Sequence, residues 1–167
     1  MRNYIKEEIV KQNIKPGLAV ILVGDDVASQ VYVNGKEKAA LELGFTSRVM
    51  QLPSTTTQEE VVSHIHAFNN DGQIHGILVQ LPLPKHLNEN QILQTIRADK
   101  DADGFHYLNQ GKLLAGESTT LACTPAGIIL MLQSLNLNLS GKHAVVVGRS
   151  NIVGKPMAQL LLSVMNM

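Results

Sequence analysis

The stretch Val145-Val146-Val147-Gly148-Arg149-Ser150-Asn151-Ile152-Val153-Gly154-Lys155-Pro156 decides how the chain is read. A β-branched apolar run breaks at a glycine and passes straight into a helical pattern, as at the start of a parallel-sheet nucleotide-binding fold. This predicts a strand over 143–147 and a helix from about residue 152. Ser150 stands where the dinucleotide fingerprint has its second glycine, so G-x-G-x-x-G is not matched. Walker A fails as well, because Lys155 is followed by Pro156. Free N–H groups at a helix start still attract phosphate. Arg149 adds a planar fork that pairs with it.

Working outward, strands and helices alternate along the whole chain. A helix from Met1 to Gln12 closes at Lys15-Pro16-Gly17, and Leu18–Val23 reads as a buried parallel strand. Ser29 is expected to cap a helix running to Leu43, with Gly44 as its stop. Arg48–Leu52 is a second strand; Thr57 with Glu60 forms a capping box for a helix to about Phe68. Asn69-Asn70-Asp71-Gly72 breaks that helix, and Gly76–Gln80 is a third strand, ending in the stiff Leu81-Pro82-Leu83-Pro84. A helix over Asn88–Ile96 follows, then the turn Asp99-Lys100-Asp101-Ala102-Asp103-Gly104 and an aperiodic connector over 105–122. Thr124 and Pro125 read as cap and first-turn proline of an apolar helix through Leu135. The class is α/β with a mainly parallel sheet.

Composition narrows the function classes. Fourteen basic residues balance fourteen acidic ones, and no basic run exists, so a nucleic-acid partner is not expected. Neither a secretory leader nor a membrane-length apolar run is present, and Cys123 is the single cysteine. The reading is a soluble, cytoplasmic protein in a reducing compartment. The histidines at 64, 66, 75, 86, 106 and 143 fall in no metal spacing, so no metal site is expected. Cys123 reads as a structural thiol, and Met157, Met165 and Met167 as core or tail.

In open α/β sheets ligands bind beyond the carboxyl ends of the strands. Three polar features fall there. Tyr32 and Lys36, four apart, share one helix face; they form either a solvated edge or a lysine used as a proton carrier. Gln80 either caps exposed backbone or orients a reacting group. Asp101 and Asp103 either make Asx turns or offer a carboxylate to the N–H groups of a heterocycle.

Five motifs occur in a fixed order: Tyr32-Val33-Asn34-Gly35-Lys36, Gly76 through Pro84, Lys100 through Phe105, Cys123-Thr124-Pro125 and Gly148 through Pro156. Together they closely resemble the bifunctional methylenetetrahydrofolate dehydrogenase/methenyltetrahydrofolate cyclohydrolase family over essentially the whole chain. The resemblance implies a folate-binding catalytic domain over 1–122 and the first strand–helix unit of a Rossmann-like NAD(P)-binding domain over 123–167. It implies Lys36 as the catalytic lysine, Tyr32 stacking on the folate, Gln80 tuning and positioning Lys36, and Asp103 anchoring the pterin. Val79 and Leu81 join these as substrate contacts. Thr124, Gly148, Arg149 and Ser150 are implied on the cofactor side, with NADP the expected cofactor and NAD not excluded. Tetrahydrofolates as substrates and a homodimer are also implied. Against that family the chain is expected to start inside the first helix and to stop early in the cofactor domain. Activity is therefore expected to be impaired and NADP binding weak, the alternative being a catalytically silent remnant or folate-binding fragment.

Overall fold

The computed structural model describes residues 2–165, with side chains described through Ser163. Met1 of the first expected helix and Met167 lie outside the described residues, as does the side chain of Met165. The chain divides into two compact units, one up to Ala102 and one from Asp103 onward.

The first unit runs α1 (Arg2–Gln12), β1 (Gly17–Val23), α2 (Val27–Glu42), β2 (Thr46–Leu52), α3 (Gln58–Asn70), β3 (Gly76–Val79) and α4 (Glu89–Thr95). The three strands are parallel in the order β2-β1-β3. β1 is central because it can be buried on both faces: Ala19, Val20 and Ile21 are inaccessible, and Leu22 and Val23 nearly so. The valine, leucine and isoleucine side chains among them contribute roughly 1.5–3 kcal/mol each when fully buried. Val20↔Val49 and Val20↔Leu78 set the register to the two neighbours.

At the open end of β1 no side chain could fit at Gly17, since a Cβ would lie 1.8 Å from the Gln73 carbonyl oxygen. The Gly17 N–H donates to His75 Nδ1 at 3.0 Å, which gives that histidine a structural task. The capping box at α3 is formed as expected: Thr57 Oγ1 accepts the Glu60 N–H at 3.2 Å, and Glu60 accepts the Thr57 N–H at 2.8 Å.

The acidic turn is more ordered than an Asx turn. Ile77 donates its N–H to the Lys100 carbonyl at 2.7 Å, and Ala102 donates to the Ile77 carbonyl at 3.1 Å. Residues 100–102 therefore lie parallel beside β3, with Asp101 only 5% exposed. Lys100 Nζ donates to the carbonyls of Phe68 and Asp71, which ties the turn to the end of α3.

The second unit holds α5 (Tyr107–Ala115), α6 (Cys123–Ser134) and α7 (Gly154–Met165). Ile129, Met157 and Leu160 form its buried centre, with Leu113, Leu121, Ile128, Leu132 and Val146 packed around them. Four expectations are corrected here. The connector over 105–122 contains α5, whose start is capped by the His106 ring nitrogen and whose end is the left-handed Gly116; an imidazole cap gives a weak sequence signal. Thr124 does not cap α6. Ala122 is the cap residue, without a side-chain bond, and Thr124 and Pro125 are the second and third helical residues. A proline there loses nothing, because the first four N–H groups of a helix have no internal acceptor.

The strand expected over 143–147 is irregular backbone. Val146 turns inward while Val145 and Val147 are 75% and 96% exposed, so the alternation of a strand is kept. No strand among the described residues supplies a ladder to it. The helix beyond begins at Gly154 rather than near residue 152.

Candidate active site

The connection from β1 through α2 to β2 runs to one side of β1, and the next connection returns to place β3 on the other. The crevice beyond the carboxyl ends of β1 and β3 is therefore a topological switch point, where ligands of open α/β sheets sit.

α2 delivers one side of this crevice. Its cap is Asp26, not Ser29 as expected: the Asp26 carboxylate accepts the Ser29 N–H at 2.8 Å, and Ser29 is the third helical residue, 3% exposed. Hydrogen bonds from the Ser29 side chain and then its backbone N–H hold the Asp26 carboxyl below the usual aspartate range, against a smaller opposing effect of burial. Ser29, Val33 and Ala40 mark the buried stripe of the helix, and Val33 packs on Val20, Leu22 and Leu78. At helical spacing, position 36 belongs to that same stripe, so the lysine there is half-buried. Tyr32, one turn earlier, is off the stripe and 66% exposed.

β3 delivers the other side. Its ladder continues one residue past the strand, for the Gln80 N–H donates to the Ile21 carbonyl at 2.8 Å. The side-chain amide is fixed at both ends. Nε2 donates to the Leu81 carbonyl at 2.7 Å, and Oε1 accepts from Lys36 Nζ at 3.1 Å. With its N–H side engaged by a backbone carbonyl, the amide presents its oxygen to the lysine. Lys36 and Gln80, the first two candidates, are thus brought together. Val79 is buried immediately before Gln80, and Leu81 is half-buried after it. A lysine held by a neutral acceptor, on the rim of an apolar sheet end, can exchange protons with a bound molecule.

The remaining candidates belong to the second unit. Asp103 is half-buried, and Cys123 Sγ stands 3.9 Å from its Oδ1. Thr124 is exposed on the first turn of α6. Gly148, Arg149 and Ser150 are exposed in the turn that leads to α7. There Ser150 Oγ accepts the N–H groups of Val153 at 3.1 Å and Gly154 at 3.2 Å. A Cβ on Gly154 would lie 2.5 Å from the Gly148 carbonyl oxygen, so the turn closes only over a glycine. The serine thus uses its hydroxyl to tie this turn, and Arg149 carries its one fixed positive charge.

Sequence reasoning missed Asp26 as the residue that starts α2. The signal was present in Asp26 followed three residues later by Ser29. It also missed that residues 100–102 align with β3. Among the described residues no group of three potential metal ligands occurs, and no helix is long and apolar enough to cross a membrane.

These features define an α/β protein of the parallel-sheet class with a lysine–amide pair at its switch point. The family model for the tetrahydrofolate dehydrogenase/cyclohydrolase catalytic domain matches residues 1–103, and that for the NAD(P)-binding domain of the same enzymes matches 122–166. The chain belongs to the tetrahydrofolate dehydrogenase/cyclohydrolase family. It is 56% identical over 157 residues to the bifunctional protein FolD of Bacillus subtilis, covering 94% of this chain and 56% of that protein. It is 58% identical over 152 residues to the FolD protein of Streptococcus pyogenes, covering 91% and 54%. A crystal structure of the Campylobacter jejuni FolD dehydrogenase/cyclohydrolase superimposes with a TM-score of 0.93 at 46% identity, over 98% of this chain and 59% of that one. The Trypanosoma brucei enzyme, solved with NADP and an inhibitor, gives 0.92 at 33% identity, over 96% and 57%. The chain spans a little over half the length of the relatives it matches.

Proposed function

We propose that this chain carries the folate-binding catalytic domain, over 1–122, and the first part of the NAD(P)-binding domain, over 123–167, of a methylenetetrahydrofolate dehydrogenase/methenyltetrahydrofolate cyclohydrolase. The observation that carries this reading is the bond from Lys36 Nζ to Gln80 Oε1 at 3.1 Å, at the mouth of the switch point. In the first reaction a hydride leaves the methylene carbon of the folate; NADP, with NAD not excluded, supplies the acceptor when bound. The protein's share is to hold the two rings face to face, for which Tyr32, Val79 and Leu81 are the proposed folate contacts and Asp103 the pterin anchor. Thr124, Gly148, Arg149 and Ser150 are the proposed cofactor contacts, with Arg149 suited to a 2′-phosphate. In the second reaction water adds to the cationic methenyl bridge, the ring opens to 10-formyltetrahydrofolate, and one proton is released. Lys36, oriented by Gln80, is the proposed carrier of that proton.

The test is methenyltetrahydrofolate hydrolysis by the purified chain, wild type against Lys36→Met. Loss of turnover in the variant is expected; equal rates in the two proteins overturn the assignment. The family reading extends to a homodimer in the cytoplasm, which the single cysteine suits and analytical ultracentrifugation checks. One observation favours a second reading, a folate-binding fragment without dehydrogenase activity: the unpaired, exposed segment around Val145 and Val147. Tetrahydrofolate binding without NADP binding would select it.

A further inference from the structure

The second unit ties Asp103 to the start of α6 in two independent ways. Gly104 is buried with φ +72°, and a Cβ there would lie 2.6 to 2.9 Å from the backbone of Leu121 and Ala122. The chain after Asp103 is thus in contact with the chain before Cys123, with no room for a side chain between. Across this contact Cys123 Sγ stands 3.9 Å from Asp103 Oδ1, within reach of a thiol hydrogen bond. Cys123 is exposed, so its packing alone does not account for this placement.

We propose that Cys123 is a positioning residue for Asp103: its S–H donates to the carboxylate and fixes its rotamer, while the Gly104 contact holds the two segments together. The carboxylate is thereby held in the orientation in which it would meet a ring N–H of the folate. This rests on the reading of Asp103 as the pterin anchor. It also makes Asp103 and Thr124 parts of one rigid corner, so that the proposed folate and cofactor contacts of this unit keep a fixed spacing.

The chain has one cysteine, so thiol alkylation reports on a single site. At pH 7, iodoacetamide is expected to alkylate Asp103→Asn at least about threefold faster than wild type, because the thiol is then released from the acceptor that holds it. Calorimetric affinity for tetrahydrofolate is expected to fall about threefold to tenfold in Cys123→Ala, as for loss of one hydrogen bond. It should recover in part in Cys123→Ser, whose hydroxyl donates the same bond, and fall furthest in Asp103→Asn. Equal alkylation rates overturn the positioning role. So does a Cys123→Ala chain that binds tetrahydrofolate like wild type while Asp103→Asn binds it more weakly; in that case the folate reading stands. An Asp103→Asn chain that binds like wild type, or a wild-type chain that does not bind tetrahydrofolate, overturns the folate reading and the positioning role with it.

Discussion

Lys36 Nζ and Gln80 Oε1 are 44 residues apart in the chain and 3.1 Å apart in space. The pair exists because two ordinary structural rules each bring one partner to the same edge. Position 36 falls on the core-facing stripe of α2, and residue 80 is the first beyond β3, still hydrogen-bonded to β1. A lysine on a core stripe costs stability unless an acceptor meets it, and the glutamine oxygen is that acceptor.

This geometry separates two substitutions at Gln80. In Gln80→Leu the lysine loses its acceptor, and cyclohydrolase turnover should fall roughly 10²-fold or more with tetrahydrofolate affinity changed much less. In Gln80→Glu one carboxylate oxygen would face Lys36 and the other the Leu81 carbonyl, where the amide now donates at 2.7 Å. That second contact is repulsive, so the side chain is no longer fixed at both ends and the lysine loses its positioned acceptor. Turnover should fall here too. A Gln80→Leu chain with the wild-type kcat would mean that the amide does not serve the reaction.

Acid stability follows from three carboxylates. Asp71 is held below the usual aspartate range first by the Gln73 N–H at 2.8 Å and further by Arg48 at 2.5 Å, with burial opposing. The Arg97 guanidinium does the same for Asp99, and Ser29 for Asp26. A carboxyl that binds protons less readily when folded adds stability at pH values above its unfolded midpoint. That contribution is lost as pH falls through the unfolded and then the folded midpoint. Urea midpoints measured from about pH 6 down to about pH 3 should therefore decline, and Asp71→Asn should flatten the decline. An unchanged slope in Asp71→Asn would remove Asp71 from the cause.

The capping box at α3 predicts a local stability effect far from the site. Thr57→Ala removes the acceptor for the Glu60 N–H and should cost about 1 kcal/mol in urea unfolding, whereas Thr57→Ser should cost little. Equal losses for the two variants would show that the threonine methyl, not the hydroxyl, matters there.

Much of the first unit was legible because its rules are local. The continuous apolar run of β1, the capping box at Thr57 and the stop at Gly44 each announce themselves within a few residues. Lys36 and Gln80 were legible as candidates, but their bond was not, since it depends on sheet order. What failed were features that need a partner elsewhere in the chain. Val145-Val146-Val147 has the composition of a strand, yet a strand is a ladder, and no described strand lies beside it. For Asp101 an Asx turn and a ligand carboxylate both stayed open, because nothing in its own neighbourhood reveals that Ile77 pairs with it. α5 was hidden by an imidazole cap and by Gly111 in its middle.

The glycines of the second unit supply a matched pair of variants. Gly104 has φ +72° and no space, since its Cβ would meet the backbone of Leu121 and Ala122. Gly111 lies inside α5 and its Cβ would meet nothing within 4 Å. Gly104→Ala must therefore strain its own backbone and push two segments apart, a loss on the order of 1–3 kcal/mol. Gly111→Ala restores helix propensity at no steric cost and should gain about 0.5–1 kcal/mol. Thermal unfolding of the two variants against wild type should move in opposite directions. Because the Gly104 contact also sets the spacing of Asp103 from Cys123, Gly104→Ala should speed iodoacetamide alkylation of the thiol, and Gly111→Ala should leave it unchanged. If Gly104→Ala lowered stability without altering the thiol, the contact would be structural only and would not hold Asp103 in place.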